Sequence, residues 1–161
     1  MSDFQIRPLN IEDKNWIPQF ITERWGAEFI VAHGKIYYPR DLPGFVALKG
    51  AERAGLITYC LAEKNCEIVS IDSLVQSVGI GTALIEAVTG VARESACKRV
   101  WLTTTNDNLN ALRFYQKRGF VLVTIHQNAV NVARQYKPIP LTGANGIPIR
   151  DEIELELMIE D

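Results

Sequence analysis

The sequence predicts a mixed α/β (α+β) domain, with a mostly antiparallel sheet of roughly six to seven strands flanked by helices. Three observations carry this. Short apolar runs separated by polar turns recur between Phe4 and Leu74. The apolar period turns helical after Gly81 and returns to strand at Arg99. Strict apolar/acidic alternation closes the chain from Glu152.

Residues 4–9 alternate as a strand, and Asn10 or Asp13 then caps a helix running towards Arg24, with Trp16, Phe20 and Trp25 on its inner side. Between Gly26 and Gly44 the pattern is poor: residues 29–32 read as a short strand or a helical turn, and 38–44 as loop. Residues 45–48, 54–61 and 66–74 read as three successive antiparallel strands. Leu84, Val88 and Val91 mark the next helix, and residues 99–105 a strand. A helix follows over 108–118 with Gly119 as its stop, then a strand over 120–125 and a short helix over 129–137. Ile153, Leu155, Leu157 and Ile159 then predict an antiparallel strand with one buried face, the intervening Glu residues facing water.

With 161 residues the chain closes one core, so a single domain is expected over 1–161. Its formal net charge of −2 gives no positive field for nucleic acid or an anionic membrane. Cys60, Cys66 and Cys97 are odd in number and lack CxxC spacing, which speaks against a disulfide framework or a zinc site. No leader and no run of about 18 apolar residues is present, so a cytoplasmic protein is expected, with no membrane and no metal.

The stretch from Leu74 to Thr82 runs strand, Gly-containing turn, helix. Such a turn attracts anions, because the first helical N–H groups lack internal partners and the helix dipole favours negative charge there. Gly79 and Gly81 let backbone approach a phosphate, Thr82 adds a hydroxyl, and Gln76 marks the entry. Thr82-Ala83 after Gly81 rules out a P-loop, and Leu84 breaks GxGxxG, which disfavours ATP and NAD.

Gln76-x-x-Gly79-x-Gly81 and Asn108-x-x-Ala111-x-x-Phe114-Tyr115-x-x-x-Gly119-Phe120 together resemble the GNAT acyltransferases, the match being concentrated in residues 67–123. The resemblance implies a central splay between two parallel strands, ending near Leu74 and Thr105, that receives acetyl-CoA as cosubstrate. It implies that backbone of Leu74 and Val75 pairs with the pantetheine amides. The N–H groups from Gln76 through Gly79, Ile80, Gly81 and Thr82 would hold the diphosphate. Asn108 would contact the pantetheine arm, Ala111 would leave room for it, and Tyr115 would protonate the departing thiolate. The chain departs from the family pattern in having no proline before the turn and Ser77-Val78 where small and basic residues are frequent. Val78 offers a phosphate no charge, so backbone must carry more of the affinity.

An alkylamine of pKa about 10.4 is mostly protonated at neutral pH, so a base or a water chain is needed. Asp72 and Glu67 are the candidate bases. Their five-residue separation places them on opposite faces of a regular strand, so only one is expected in the site, with Asp72 ranked first. His33 and His126 read as surface histidines, Cys60 and Cys66 as small core side chains, and Asp151, Glu152, Glu154 and Glu156 as a solvated face. By analogy, Tyr37, Tyr38 and Arg40 line the acceptor pocket. The resulting expectation is an N-acetyltransferase acting on a small-molecule or peptide amine; the alternative is a catalytically silent acyl-CoA-binding or regulatory module. The terminal strand leaves an edge for a homodimer, unless its Glu residues protect it.

Overall fold

A computed structural model describes residues 3–75 and 78–159. Strand β1 (Gln5–Pro8) leads into α1 (Ile11–Trp25), which Asn10 opens with a reciprocal capping box. The Asn10 side chain accepts from the Asp13 N–H at 3.0 Å, while Asp13 Oδ2 accepts from the Asn10 N–H at 2.9 Å. Asp13 is fully buried, which raises its pKa, but Arg7, the Asn10 N–H and Arg53 outweigh burial and hold the carboxyl below its ordinary range.

A small hairpin follows, β2 (Ile30–Ala32) and β3 (Lys35–Tyr37), turning through His33 at φ 42° and Gly34 at φ 77°. Positive φ at both central residues is what a tight hairpin turn demands. Then come β4 (Gly44–Lys49), β5 (Glu52–Ala62), β6 (Asn65–Ser73), α2 (Ile80–Glu94), β7 (Arg99–Thr105), α3 (Leu109–Lys117), β8 (Val121–His126), α4 (Ala129–Ala133) and β9 (Glu152–Met158).

Among the described residues, seven strands form the main sheet in the order β1-β4-β5-β6-β7-β9-β8, and only β6 and β7 run parallel. Strand β9 therefore lies inside the sheet, pairing with β7 on one side and β8 on the other. This corrects the expected terminal edge: the edge belongs to β8, where Val121, Leu122, Val123 and Ile125 are exposed. The wet acidic face of β9 is also corrected. Glu152 is buried, and Arg99 on the neighbouring strand draws in Glu154 and Glu156 at 3.0 and 2.9 Å. A cross-strand cation thus turns a solvated pattern into a paired one.

Apolar side chains pack on both faces of the sheet. Helix α2 sends Leu84, Ile85 and Val88 against Ile57, Ile68 and Val100, while α1 sends Ile17, Phe20 and Ile21 against Leu56, Val69 and the hairpin's Tyr37. Adjacent residues of β5, Leu56 and Ile57, feed opposite clusters, as a period of two requires.

Pairing between β6 and β7 covers only Asn65 to Glu67 against Arg99 to Trp101, after which the two strands run on without pairing to each other. The register of β6 against β5 shifts where Thr58 faces Ser70 and Tyr59 faces Ile68, leaving Val69 as an extra residue. Such a bulge bends a strand locally, and here it coincides with the divergence from β7.

Candidate active site

The bulge also overturns the expectation that Asp72 and Glu67 lie on opposite faces. One inserted residue restores the parity, so both turn to the α1 side of the sheet. Asp72 pairs with Leu56 in register and bonds to α1, accepting from Trp25 Nε1 at 3.0 Å and from Arg24 Nε at 3.3 Å. Glu67 meets the hairpin, accepting from the Tyr37 hydroxyl at 2.5 Å and lying 2.8 Å from His33 Nε2.

Although on one face, the two carboxylates line different cavities. A cavity of about 190 Å³ opens where β6 and β7 part, and Asp72, Trp25, Asn108, Ala111 and Tyr115 line it. It adjoins a larger one of about 460 Å³ with which it shares Ile71, Asn108, Ala111 and Tyr115. Val75, Gly79, Ile80, Gly81 and Thr82 form the far wall of that second cavity. Glu67 belongs instead to a cavity of about 140 Å³ walled by His33, Tyr37, Cys60 and Trp101.

Tyr115 sits on α3 with its ring wedged edge-on to Phe114 and Phe120. The residue is buried, and its hydroxyl makes no hydrogen bond among the described residues. Burial first, and the charge of Asp72 second, push the phenol well above its ordinary pKa, so it keeps its proton at neutral pH. Asp72 is raised as well. Burial dominates there, opposed by the Trp25 N–H and the Arg24 guanidinium. A protonated phenol and a carboxylate of increased basicity thus share one cavity, a pairing suited to donating one proton and accepting another.

At the turn, Gly79 is the N-cap of α2 at φ 86°, a left-handed conformation that favours glycine. Gly81 also serves packing. A Cβ there would lie 2.9 Å from Phe114 Cζ, so its missing side chain makes room for an aromatic ring. Ile80 is buried in the core, leaving its backbone to the cavity. The Leu74 N–H donates to the Ala54 carbonyl at 2.8 Å, which leaves Leu74 its carbonyl to offer a ligand. Asn108 caps α3 by accepting from the Ala111 N–H at 3.1 Å. Gln76 lies outside the described residues, as does Ser77.

Sequence reasoning missed the hairpin's part. His33 is exposed, as expected of a surface residue, but its ring also bonds Glu67, its backbone N–H donates to Glu152 Oε1 at 2.9 Å, and Trp101 stands 5.2 Å from it. The Glu67 hydrogen bond chiefly raises the His33 pKa, against burial. His126 lies 3.4 Å from Glu154. The signal was the His33-Gly34 pair between apolar runs. Tyr37 is buried against Glu67, whereas Tyr38 is exposed beside Phe29 and the Arg40 carbonyl accepts from Lys14. Cys66 is buried, which pushes its thiol up to about 12, and Cys60 is half-buried.

A seven-stranded sheet parted between its one parallel pair, with a glycine turn at the mouth, defines an acyltransferase-like architecture. The profile of the Acetyltransferase (GNAT) family matches residues 9–120, and the chain belongs to that family. It is 42% identical over 157 residues to the uncharacterized protein YdhI of Bacillus subtilis (strain 168), covering 96% of this chain and 98% of that one. Among solved structures, the fold is similar to that of the IAA acetyltransferase from Bacillus cereus ATCC 14579. The TM-score is 0.74 at 24% identity, over 97% of this chain and 99% of that one. A GNAT family acetyltransferase from Elizabethkingia anophelis, solved with acetyl-CoA bound, gives a TM-score of 0.72 at 20% identity, over 99% and 100% of the two chains.

Proposed function

We propose that this GNAT acetyltransferase moves an acetyl group from acetyl-CoA to the nitrogen of an amine by direct attack, without a covalent enzyme intermediate. The observation that carries the reading is the shared cavity of Asp72 and Tyr115 at the parting of β6 and β7. Acetyl-CoA is the cosubstrate. Its pantetheine arm runs between the strands past Asn108 and Ala111, and its diphosphate lies at the N-terminus of α2, where Gly79 to Thr82 line the cavity.

The acceptor enters from the α1 side, where Glu23, Arg24, Trp25, Asp72 and Asn108 line an opening. The amine nitrogen attacks the thioester carbonyl, the negative charge on its oxygen meets the Val75 N–H, and the nitrogen's proton passes to Asp72. The C–S bond then breaks, and the thiolate takes the Tyr115 proton. Burial keeps Tyr115 protonated, so the phenol has a proton to give. Glu67 is the second candidate base, but it lines a separate cavity with His33 and Tyr37, away from Tyr115.

A thermal-shift titration with acetyl-CoA, CoA, ATP and NAD tests the cosubstrate, since a ligand of the folded state raises Tm by mass action. Stabilisation by the two CoA compounds alone is expected. Thiol release in the presence of small and peptide amines then tests the transfer. Binding without amine-dependent release would favour the silent module.

A further inference from the structure

Among the described residues that line the larger cavity, Arg118 is the one with a charged side chain. It stands at the C-cap of α3, far in sequence from the glycine turn, yet it is carried to that turn. Its Nε donates to Thr82 Oγ1 at 2.8 Å and its Nη1 to the Phe114 carbonyl at 2.8 Å, while the guanidinium carbon lies 3.7 Å above the centre of the Phe114 ring. Phe114 can reach that position because Gly81 has no Cβ. Gly81, Phe114, Thr82 and Arg118 therefore form one packed set that holds a cation beside the first turn of α2.

Only part of the guanidinium is used. Of about five N–H donors on an arginine, two are engaged by the protein. The first turn of α2 contains no acidic residue that would claim the rest. A planar fork of donors beside unpaired helical amides is matched to phosphate oxygens.

We propose that Arg118 is a binding residue for the CoA diphosphate and supplies the cation that the turn itself lacks at Val78. The inference rests on the placement of the diphosphate at α2. It means that the charge comes from a helix after the β7 strand instead of from the turn, and that phosphate recognition and the Tyr115 helix are mechanically joined.

Calorimetric titration of CoA and dephospho-CoA into wild type, R118Q and R118K tests it. R118Q is expected to raise Kd for both ligands about tenfold or more, and R118K by less. The salt dependence of Kd should become shallower in R118Q. A loss confined to CoA overturns the proposal, assigning Arg118 to the ribose phosphate, and unchanged affinity for both ligands overturns it outright. Should R118Q fold poorly, Phe114→Leu removes the ring under the guanidinium while keeping its charge. A smaller loss for both ligands is then expected, and no loss counts against the proposal. Wild-type protein that binds neither ligand would instead defeat the acetyl-CoA reading itself.

Discussion

The two ends of β6 carry carboxylates on the same face, and they differ in what surrounds them. Asp72 is held by the indole and guanidinium of α1 but still faces a cavity it shares with an unbonded phenol. Glu67 has both oxygens committed to Tyr37 and His33, and so ties a hairpin to the sheet. Both oxygens of each carboxylate have a protein partner, and what separates the two is the cavity each one lines.

Substitutions at each end sharpen this contrast. Asp72→Asn is expected to lower kcat/KM about 1000-fold at neutral pH, and the deficit should shrink as pH approaches the pKa of the amine. Because Asp72 has a raised pKa in the fold, its stabilising contribution is present at acid pH and lost as pH rises through that value. The same substitution should therefore raise Tm at neutral pH, by about 3 °C. An inactive variant that is also less stable would break the comparison. Tyr115→Phe should lower kcat about 100-fold with the Kd for acetyl-CoA unchanged, read by stopped assays and calorimetry.

At the other end the signs reverse. Glu67→Gln should leave kcat nearly intact and lower stability by about 2 kcal/mol, seen as a lower denaturant midpoint; a large fall in kcat would return Glu67 to the chemistry. The smallest effect concerns His33, faced by Glu67, Glu152, Lys35, Tyr37 and Trp101. Its pKa is raised by Glu67, so its contribution is complete below about 6.5, the ordinary value, and fades as pH rises through the folded one. His33→Asn, a residue that tolerates positive φ, should cost about 1 kcal/mol at pH 6 and progressively less at alkaline pH.

The elements around the glycine turn were legible because each had a local signal. Leu84 and Val88 show the helical spacing of α2, Asn108 caps α3, and Gly119 sits at φ 95° just beyond its end. The bulge at Val69 had none: Ile68-Val69-Ser70-Ile71 is as good a regular strand as an interrupted one, and only pairing with Thr58 and Tyr59 decides. The hairpin was obscured by strands of three residues each, too short for a period to emerge. Burial of Glu152 and the pairing of Glu154 depend on His33 and Arg99, residues distant in sequence that no local pattern announces.

The sheet order has a kinetic consequence. Strand β8 is made before β9, yet its sheet partner among the described residues is β9, which also pairs with β7. Until β9 arrives, β8 has no place to dock and the apolar side chains of Val121, Leu122, Val123 and Ile125 travel with an unpaired backbone. Closing this non-local insertion is a slow kind of event, and on the ribosome it must wait for the intervening chain. The unfinished sheet is then the stage at which newly made protein is most prone to stick to its neighbours.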